Sequence, residues 1–150
     1  MKDPEASSAA ETVADLVLDV SLSCAWCFAD EASEPAWAIL EQLQAGQAHV
    51  PALWLWETAN VLVQAERRGR ISPAAIRTFL GLLEGLPISV DQPSTASAWH
   101  DTLALARSHR LTSYDAAYLE LALRRGLPLA TRDKALQAAA RLEGVPLMPC

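Results

Sequence analysis

The chain has 150 residues, 51% of them apolar and 20% charged, with a formal net charge of −6. This length and composition predict one folded domain with a substantial core. No apolar run approaches the roughly 20 residues that span a bilayer, and the acidic, polar amino terminus is not a signal peptide. We therefore expect a cytoplasmic protein without a membrane segment, with residues 1–12 as a disordered extension and 13–150 as the domain.

Short apolar stretches alternate with helical patterns along the chain. In chain order they predict a strand at 12–20, helices at 21–30 and 34–45, a strand at 48–50, helices at 52–68 and 72–84, a strand at 87–91, helices at 94–109 and 113–126, a strand at 127–131, a helix at 133–142 and a strand at 145–148. Pro35 and Pro73 suit first helical turns, and Ser113 is a candidate N-cap. Strands separated by helices predict a three-layer α/β domain with a mainly parallel central sheet and helices on both faces.

Four acidic residues lie where apolar stretches meet new elements. Asp19 ends the first strand, Glu57 lies inside a long apolar helix, and Asp115 and Asp133 begin later helices. In open α/β sheets, sites form outside the carboxyl ends of the strands. Four carboxylates gathered there repel one another unless a cation binds, and Mg²⁺ prefers oxygen ligands. The pattern therefore favours a metal-dependent hydrolase.

Each acid also has a structural interpretation. Asp115 and Asp133 could merely complement helix dipoles, as acids in first turns do. Glu57 is more informative, because with Asn60 and Gln64 it forms a polar stripe on a helix that is otherwise apolar nearly all round. Such a helix is expected to be largely buried, and a buried glutamate needs a partner. Metal ligation would supply that partner, with Asn60 orienting the carboxylate or holding a metal-bound water.

The chain contains a Cys-Ala-Trp-Cys segment, from Cys24 to Cys27. This spacing occurs in redox and zinc sites. A structural zinc site needs a second pair of ligands, and none is well placed. In a cytoplasmic protein a structural disulfide is also unexpected. We interpret both cysteines as small apolar packing residues.

The net charge argues against a nucleic-acid partner, but phosphates respond to local patches rather than to the whole-chain charge. Basic residues do cluster, at Arg67, Arg68 and Arg70, at Arg107 and Arg110, at Arg124 and Arg125, and at Arg132 and Lys134. These clusters could equally be solvated helix ends. The charge pattern permits nucleic-acid binding without indicating it.

The segments LVLDVSLSCAWCFADE, VPALWLWETANVLVQAERRGRIS, LTSYDAAYLELALRRGLPLATRDKAL and AARLEGVPLM resemble those of PIN-domain ribonucleases, and within that family those of the VapC toxins of bacterial toxin–antitoxin pairs. The resemblance covers about residues 13–148. It implies that Asp19, Glu57, Asp115 and Asp133 are the acidic quartet of the family, and that Ser21, Asn60 and Thr131 are its usual polar neighbours.

This resemblance also implies an activity and partners. One or two Mg²⁺ or Mn²⁺ ions would be bound directly by Asp19 and Asp115, and partly through water by Glu57 and Asp133. Single-stranded regions of an RNA, such as transfer or ribosomal RNA, would be cleaved to inhibit translation, and Arg132 or Lys134 could hold the RNA backbone.

Protein partners are expected as well. The resemblance implies a homodimer and a cognate VapB-like antitoxin, whose basic tail would enter the acidic site and whose other end would bind operator DNA. The tryptophans that we consider for such contacts are Trp37, Trp54, Trp56 and Trp99. A tryptophan at helical spacing can equally belong to the core.

Three alternatives remain open. A phosphatase of the haloacid-dehalogenase type also has an aspartate at a strand end, but it needs a second one where this chain has Ser21. A non-catalytic module could use the acids to hold a structural ion or a basic peptide. A PIN nuclease of RNA processing would share the site without the toxic role.

Overall fold

The computed structural model describes residues 15–150. The predicted extension at 1–12 and the first two residues of the predicted domain lie outside this range. Within it, the strands are β1 (Leu16–Leu18), β2 (Ala48–Pro51), β3 (Ile88–Asp91) and β4 (Leu129–Ala130). The α-helices are α1 (Val20–Ser23), α2 (Glu34–Gln42), α3 (Leu53–Arg67), α4 (Pro73–Glu84), α5 (Leu103–His109), α6 (Ser113–Arg125) and α7 (Lys134–Leu142). A 3₁₀ turn, Cys24–Trp26, follows α1, and a π-helical segment, Ser97–Thr102, precedes α5.

The four strands form one parallel sheet in the order β3-β2-β1-β4. All three residues of β1 are fully buried. Because successive side chains of a strand point to opposite faces, helices must cover both faces of the sheet. The predicted three-layer α/β class is therefore confirmed.

Local signals fix several helix starts. The hydroxyls of Ser33 and Ser72 accept hydrogen bonds from backbone N–H groups in the first turns of α2 and α4, and a proline follows in each first turn. At α6 the N-cap is Thr112, whose hydroxyl accepts from the Asp115 N–H, and not Ser113 as predicted. Two adjacent hydroxyl residues offer the same capping chemistry, so the sequence alone does not distinguish them.

Several predicted elements are shorter than expected. The first helix ends after four residues and continues as the 3₁₀ turn. The strand predicted at 127–131 is reduced to β4, which has two residues. The predicted last strand at 145–148 is reduced to a single parallel bridge between Leu129 of β4 and Leu147.

The long helix α3 is less buried than its composition predicts. Trp54 and Leu62 lie in the core, but Leu55 is 47% exposed and Trp56 is 77% exposed. The apolar pattern all round this helix therefore does not mean full burial. Among residues 15–150, no helix is long and apolar enough to cross a membrane.

Candidate active site

The four predicted acids gather at the carboxyl edge of the sheet. Asp19 directly follows β1, and Asp133 follows β4 at the start of α7. Glu57 lies in the second turn of α3, which follows β2, and Asp115 lies in the first turn of α6. The carboxylates are close enough that Asp115 acts electrostatically on Asp19 and Glu57, and Asp133 acts on Asp115. We call these four residues the carboxylate cluster.

Asp19 is the most deeply buried member, at 3% exposure. Its Oδ2 accepts hydrogen bonds from Ser21 Oγ at 2.5 Å and from Thr131 Oγ1 at 2.7 Å. Burial raises the pKa of Asp19, the two hydroxyl bonds oppose that rise, and the charge of Asp115 adds to it. Two of the three predicted neighbours thus hold this carboxylate directly.

Glu57 is half-buried and has a partner that the sequence analysis did not identify. Its Oε1 accepts a hydrogen bond from the phenol of Tyr118 at 2.5 Å. Burial raises the pKa of Glu57, the Tyr118 bond opposes the rise, and Asp19 and Asp115 reinforce it. A signal was available, because Tyr118 lies three residues after Asp115 and therefore shares its helix face.

Burial raises the pKa of Tyr118, so the phenol stays protonated and remains a donor. Tyr118 therefore links α6 to Glu57 on α3.

Asp115 and Asp133 occupy helix starts and are less buried. Burial raises the pKa of Asp115, the charge of Asp133 adds to this, and a bond from Thr112 opposes it. Asp133 Oδ1 accepts from the Leu136 N–H at 2.8 Å, as an N-cap does. Asp133 therefore has the position at a helix start that the structural interpretation expects. Its other carboxylate oxygen takes no part in this hydrogen bond.

The other predicted site residues lie around the cluster. Asn60 is exposed one turn beyond Glu57, and no hydrogen bond within residues 15–150 holds its side chain. The Arg132 guanidinium donates to the Glu31 carbonyl at 2.7 Å, while its backbone N–H donates to Ser21 Oγ at 2.9 Å. Lys134 is exposed at the start of α7. The structure thus places Arg132 and Lys134 beside the cluster without a contact to its carboxylates.

A cavity of about 450 Å³ opens on this side of the cluster. Ser21 and Asp133 line it together with two arginines, Arg70 and Arg132. Arg70 lies over the Phe28 ring and pairs with Asp30 at 2.8 Å. Glu31, which also lines the cavity, pairs with Arg70 at 3.3 Å, so two arginines and two acids face each other in this wall.

The cluster has no cationic partner in the described part of the chain. Every ion pair between residues 15 and 150 involves other acids, namely Asp15, Asp30, Glu31, Asp91, Glu120 and Glu143. Over the same residues, no group of three or more His, Cys, Asp or Glu side chains is arranged to hold a metal ion. The carboxylates repel one another, and separate hydroxyl and backbone donors hold them. They are therefore expected to stay apart.

The donor set nevertheless fits a hard divalent cation. All four ligand candidates offer carboxylate oxygens, which Mg²⁺ and Mn²⁺ prefer. Mg²⁺ usually keeps several waters and takes only one or two carboxylates directly. The residue types therefore suit a magnesium ion, although no three of these carboxylates are arranged to hold one among residues 15–150.

The four tryptophans predicted to contact partners differ in how far they are exposed. Trp54 is buried and its indole donates to Ser23 Oγ at 3.1 Å, so it is not a surface residue. The other three, Trp37, Trp56 and Trp99, are exposed.

Cys24 and Cys27 are free thiols packed near Phe28 and Ala65, as the packing interpretation predicts.

Comparisons with known proteins agree with this geometry. The model of the PIN domain family matches residues 16–142. A relative named Ribonuclease VapC3, from Pyrobaculum aerophilum, is 35% identical over 81% of this chain and 91% of its own length. The fold matches PAE2754 of Pyrobaculum aerophilum, with a TM-score of 0.65, 22% identity and 85% of each chain covered. It also matches FitAcB of Neisseria gonorrhoeae, with a TM-score of 0.54, 19% identity, and 89% and 96% covered. The chain therefore belongs to the PIN domain family and, within it, to the VapC-type ribonucleases.

Proposed function

We propose that this VapC-type ribonuclease is a divalent-metal-dependent endoribonuclease that acts as the toxin of a toxin–antitoxin pair. One observation carries the proposal: four carboxylates share one edge of the sheet, and none of them has a cationic partner within residues 15–150. Burial raises the pKa of Asp19, Glu57 and Asp115, and the charges of neighbouring carboxylates add to the rise. A site of this kind is completed by a cation.

The residues of the cluster have different roles. Asp19 and Asp115 are the direct ligands, and Glu57 and Asp133 act partly through water. Ser21 and Thr131 keep Asp19 oriented through its Oδ2. A bound Mg²⁺ or Mn²⁺ supplies Lewis-acid activation of water and of the scissile phosphate.

Two further groups act on the substrate and on Glu57. Asn60, one turn from Glu57, orients that carboxylate or a water near it. Arg132 and Lys134 lie beside the cluster and hold the phosphate backbone of the RNA, which charge-assisted hydrogen bonds from arginine suit well. Arg132 and Asp133 line the same cavity, which supports the proposed contact.

The substrate is a single-stranded region of transfer or ribosomal RNA. In-line attack leaves a 5′-phosphate and a 3′-hydroxyl, and loss of the RNA inhibits translation. The relative's printed name, Ribonuclease VapC3, supports ribonuclease chemistry here by similarity.

The protein partners follow from the same family membership. A VapB-like antitoxin inserts a basic tail at the carboxylate cluster, and a homodimer forms. Trp37 and Trp56, both exposed, are available for these contacts.

A cleavage assay tests the proposal. The purified protein is incubated with a pool of structured RNAs in Mg²⁺ or Mn²⁺, and separately with EDTA. We expect metal-dependent cutting that disappears in Asp19→Asn and persists in Asp101→Asn, a matched change at an exposed aspartate outside the cluster. Equal cutting by wild type and Asp19→Asn would indicate a contaminant and would favour a non-catalytic module.

A further inference from the structure

A second cavity, of about 430 Å³, opens at the same carboxyl edge of the sheet as the carboxylate cluster, although none of the four acids lines it. Its wall includes the carboxyl ends of β2 and β3 and the first turn of α6. Trp99 and Tyr114 both line it, yet their side chains remain 70% and 64% exposed. Large aromatic rings that contribute so little to the core are available to a ligand.

The cavity adjoins the cluster through two helices. Tyr114 immediately precedes Asp115 on α6. Leu53, which also lines the cavity, lies one turn before Glu57 on the same face of α3. The cavity and the cluster therefore share two helices, α3 and α6, and the carboxyl edge of the sheet.

The backbone at Trp99 is unusual. Residues Ser97–Thr102 form a π-helical segment, with Trp99 in its first half. π-Helical segments are rare and frequently mark functional sites. The segment sets Trp99 on the rim of the cavity, opposite the first turn of α6.

We propose that Trp99 and Tyr114 stack an unpaired base next to the scissile phosphate, and so select single-stranded RNA. This inference rests on the proposed ribonuclease function. Sequence-specific and sequence-tolerant proteins alike recognise unpaired bases by stacking them on aromatic side chains. A base inside a duplex is already stacked on its neighbours, so two aromatic rings at the rim discriminate against paired RNA.

A second copy of this chain is the competing occupant. The position favours RNA, because the aromatic rim faces a concave cavity within one helical turn of two cluster residues. The test therefore measures oligomeric state as well as RNA binding.

The binding arm uses Asp19→Asn protein, so that RNA survives the measurement. Short single-stranded RNAs, taken from around a cut site found in the pool assay, each carry one 2-aminopurine, whose fluorescence falls when it stacks. We expect quenching at one position next to the scissile phosphate. Trp99→Ala and Tyr114→Ala should each abolish that quenching and weaken binding about 5- to 150-fold.

The kinetic arm uses the otherwise unchanged protein. Trp99→Ala and Tyr114→Ala should lower kcat/KM for single-stranded RNA by the same factor. Tyr114→Phe keeps the ring and should retain activity. Leu142→Ala, which removes a 79% exposed apolar side chain at the end of α7 away from this cavity, is the control and should behave as wild type.

The outcomes separate the two hypotheses. If wild type cleaves RNA but both alanine variants bind and cleave like Leu142→Ala, the stacking inference is overturned while the ribonuclease function stands. If the alanine variants change a dimer to a monomer in sedimentation velocity and leave quenching intact, the surface joins two copies and the inference is also wrong. If wild type cleaves nothing, the proposed function fails, and quenching is then measured with short single-stranded RNAs of arbitrary sequence. Quenching that disappears in both alanine variants supports base stacking at this surface, and quenching that is absent or equal in all variants overturns it.

Discussion

Removing one buried hydroxyl, in Tyr118→Phe, tests how Glu57 is held. The Tyr118 side chain is fully buried, and its phenol donates to Glu57 Oε1 at 2.5 Å. The substitution keeps the ring and its packing, so the change is confined to the hydrogen bonds of this oxygen. Glu57 then loses the donor that opposes the rise of its pKa.

The loss of folding stability that we expect for Tyr118→Phe depends on the charge of Glu57, which accepts the hydrogen bond. A hydrogen bond to an ionised group contributes about 1.5–3 kcal/mol, against about 1 kcal/mol between neutral groups. Glu57 is half-buried, so water replaces part of the bond and we expect a loss of about 1.5–2 kcal/mol. For a domain of this size that lowers Tm by roughly 3–8 °C. In a Glu57→Gln background, where no charge is present, the same substitution should cost only about 1 kcal/mol.

Activity should also fall, because Tyr118 positions a proposed metal ligand. Loss of a group that orients a ligand typically costs about 10- to 100-fold in metal affinity or activity. The measurements are thermal unfolding and the Mn²⁺ concentration that gives half-maximal cleavage. The chain has two tyrosines, and the exposed Tyr114 on the same helix supplies the control, Tyr114→Phe. If the two variants have the same Tm and the same metal requirement, the positioning role of Tyr118 is refuted.

Three further predictions test the charges and thiols of the fold. Mg²⁺ at 100 times its Kd should stabilise the protein by about 2.7 kcal/mol, a Tm increase of roughly 5–11 °C, and Asp19→Asn should lose this shift in thermal unfolding. Arg124→Ala should lower the free energy of unfolding in urea by about 3 kcal/mol, because the buried Asp91 and Glu120 carboxylates lose a shared guanidinium. Arg124 holds the pKa of Asp91 below its usual value, so this stabilisation is present above about pH 4 and is lost in wild type as the pH falls further. Burial raises the pKa of Cys24 to about 12, so iodoacetamide near pH 8 should modify it in urea but not in the folded protein, as read by mass spectrometry.

The fold was predictable because its signals are local and agree with one another. A Ser-Pro pair located the start of α4, and a glycine located the end of α3. Apolar runs located the strands. The sequence did not show how extensively two predicted strands would pair. The run at 145–148 has the composition of a strand, but its role depends on the length of β4, and only a bridge at Leu147 forms.

The site was predictable in its residue types and not in its contacts. Acids at the ends of apolar stretches share one edge because parallel strands do, and Asp19 and Asp133 needed no further information. The partner of Glu57 comes from α6, 61 residues further along the chain, so the polar stripe on α3 does not by itself identify Tyr118. The sequence predicted that α3 is largely buried and left Trp56 open between surface and core. Trp56 is exposed, because apolar composition does not report which helix face meets the core.

The donors around the carboxylate cluster differ in kind from those elsewhere in the protein. Asp91, also at the end of a strand, is neutralised by arginines on α6. In the cluster the donors are uncharged: Ser21 and Thr131 for Asp19, and Tyr118 for Glu57. A hydroxyl that donates a hydrogen bond favours the ionised carboxylate without cancelling its charge. The carboxylates of the cluster can therefore still ionise, and their negative charge is available to a cation. The charge of Asp91 is instead neutralised by the arginines that link α6 to the sheet.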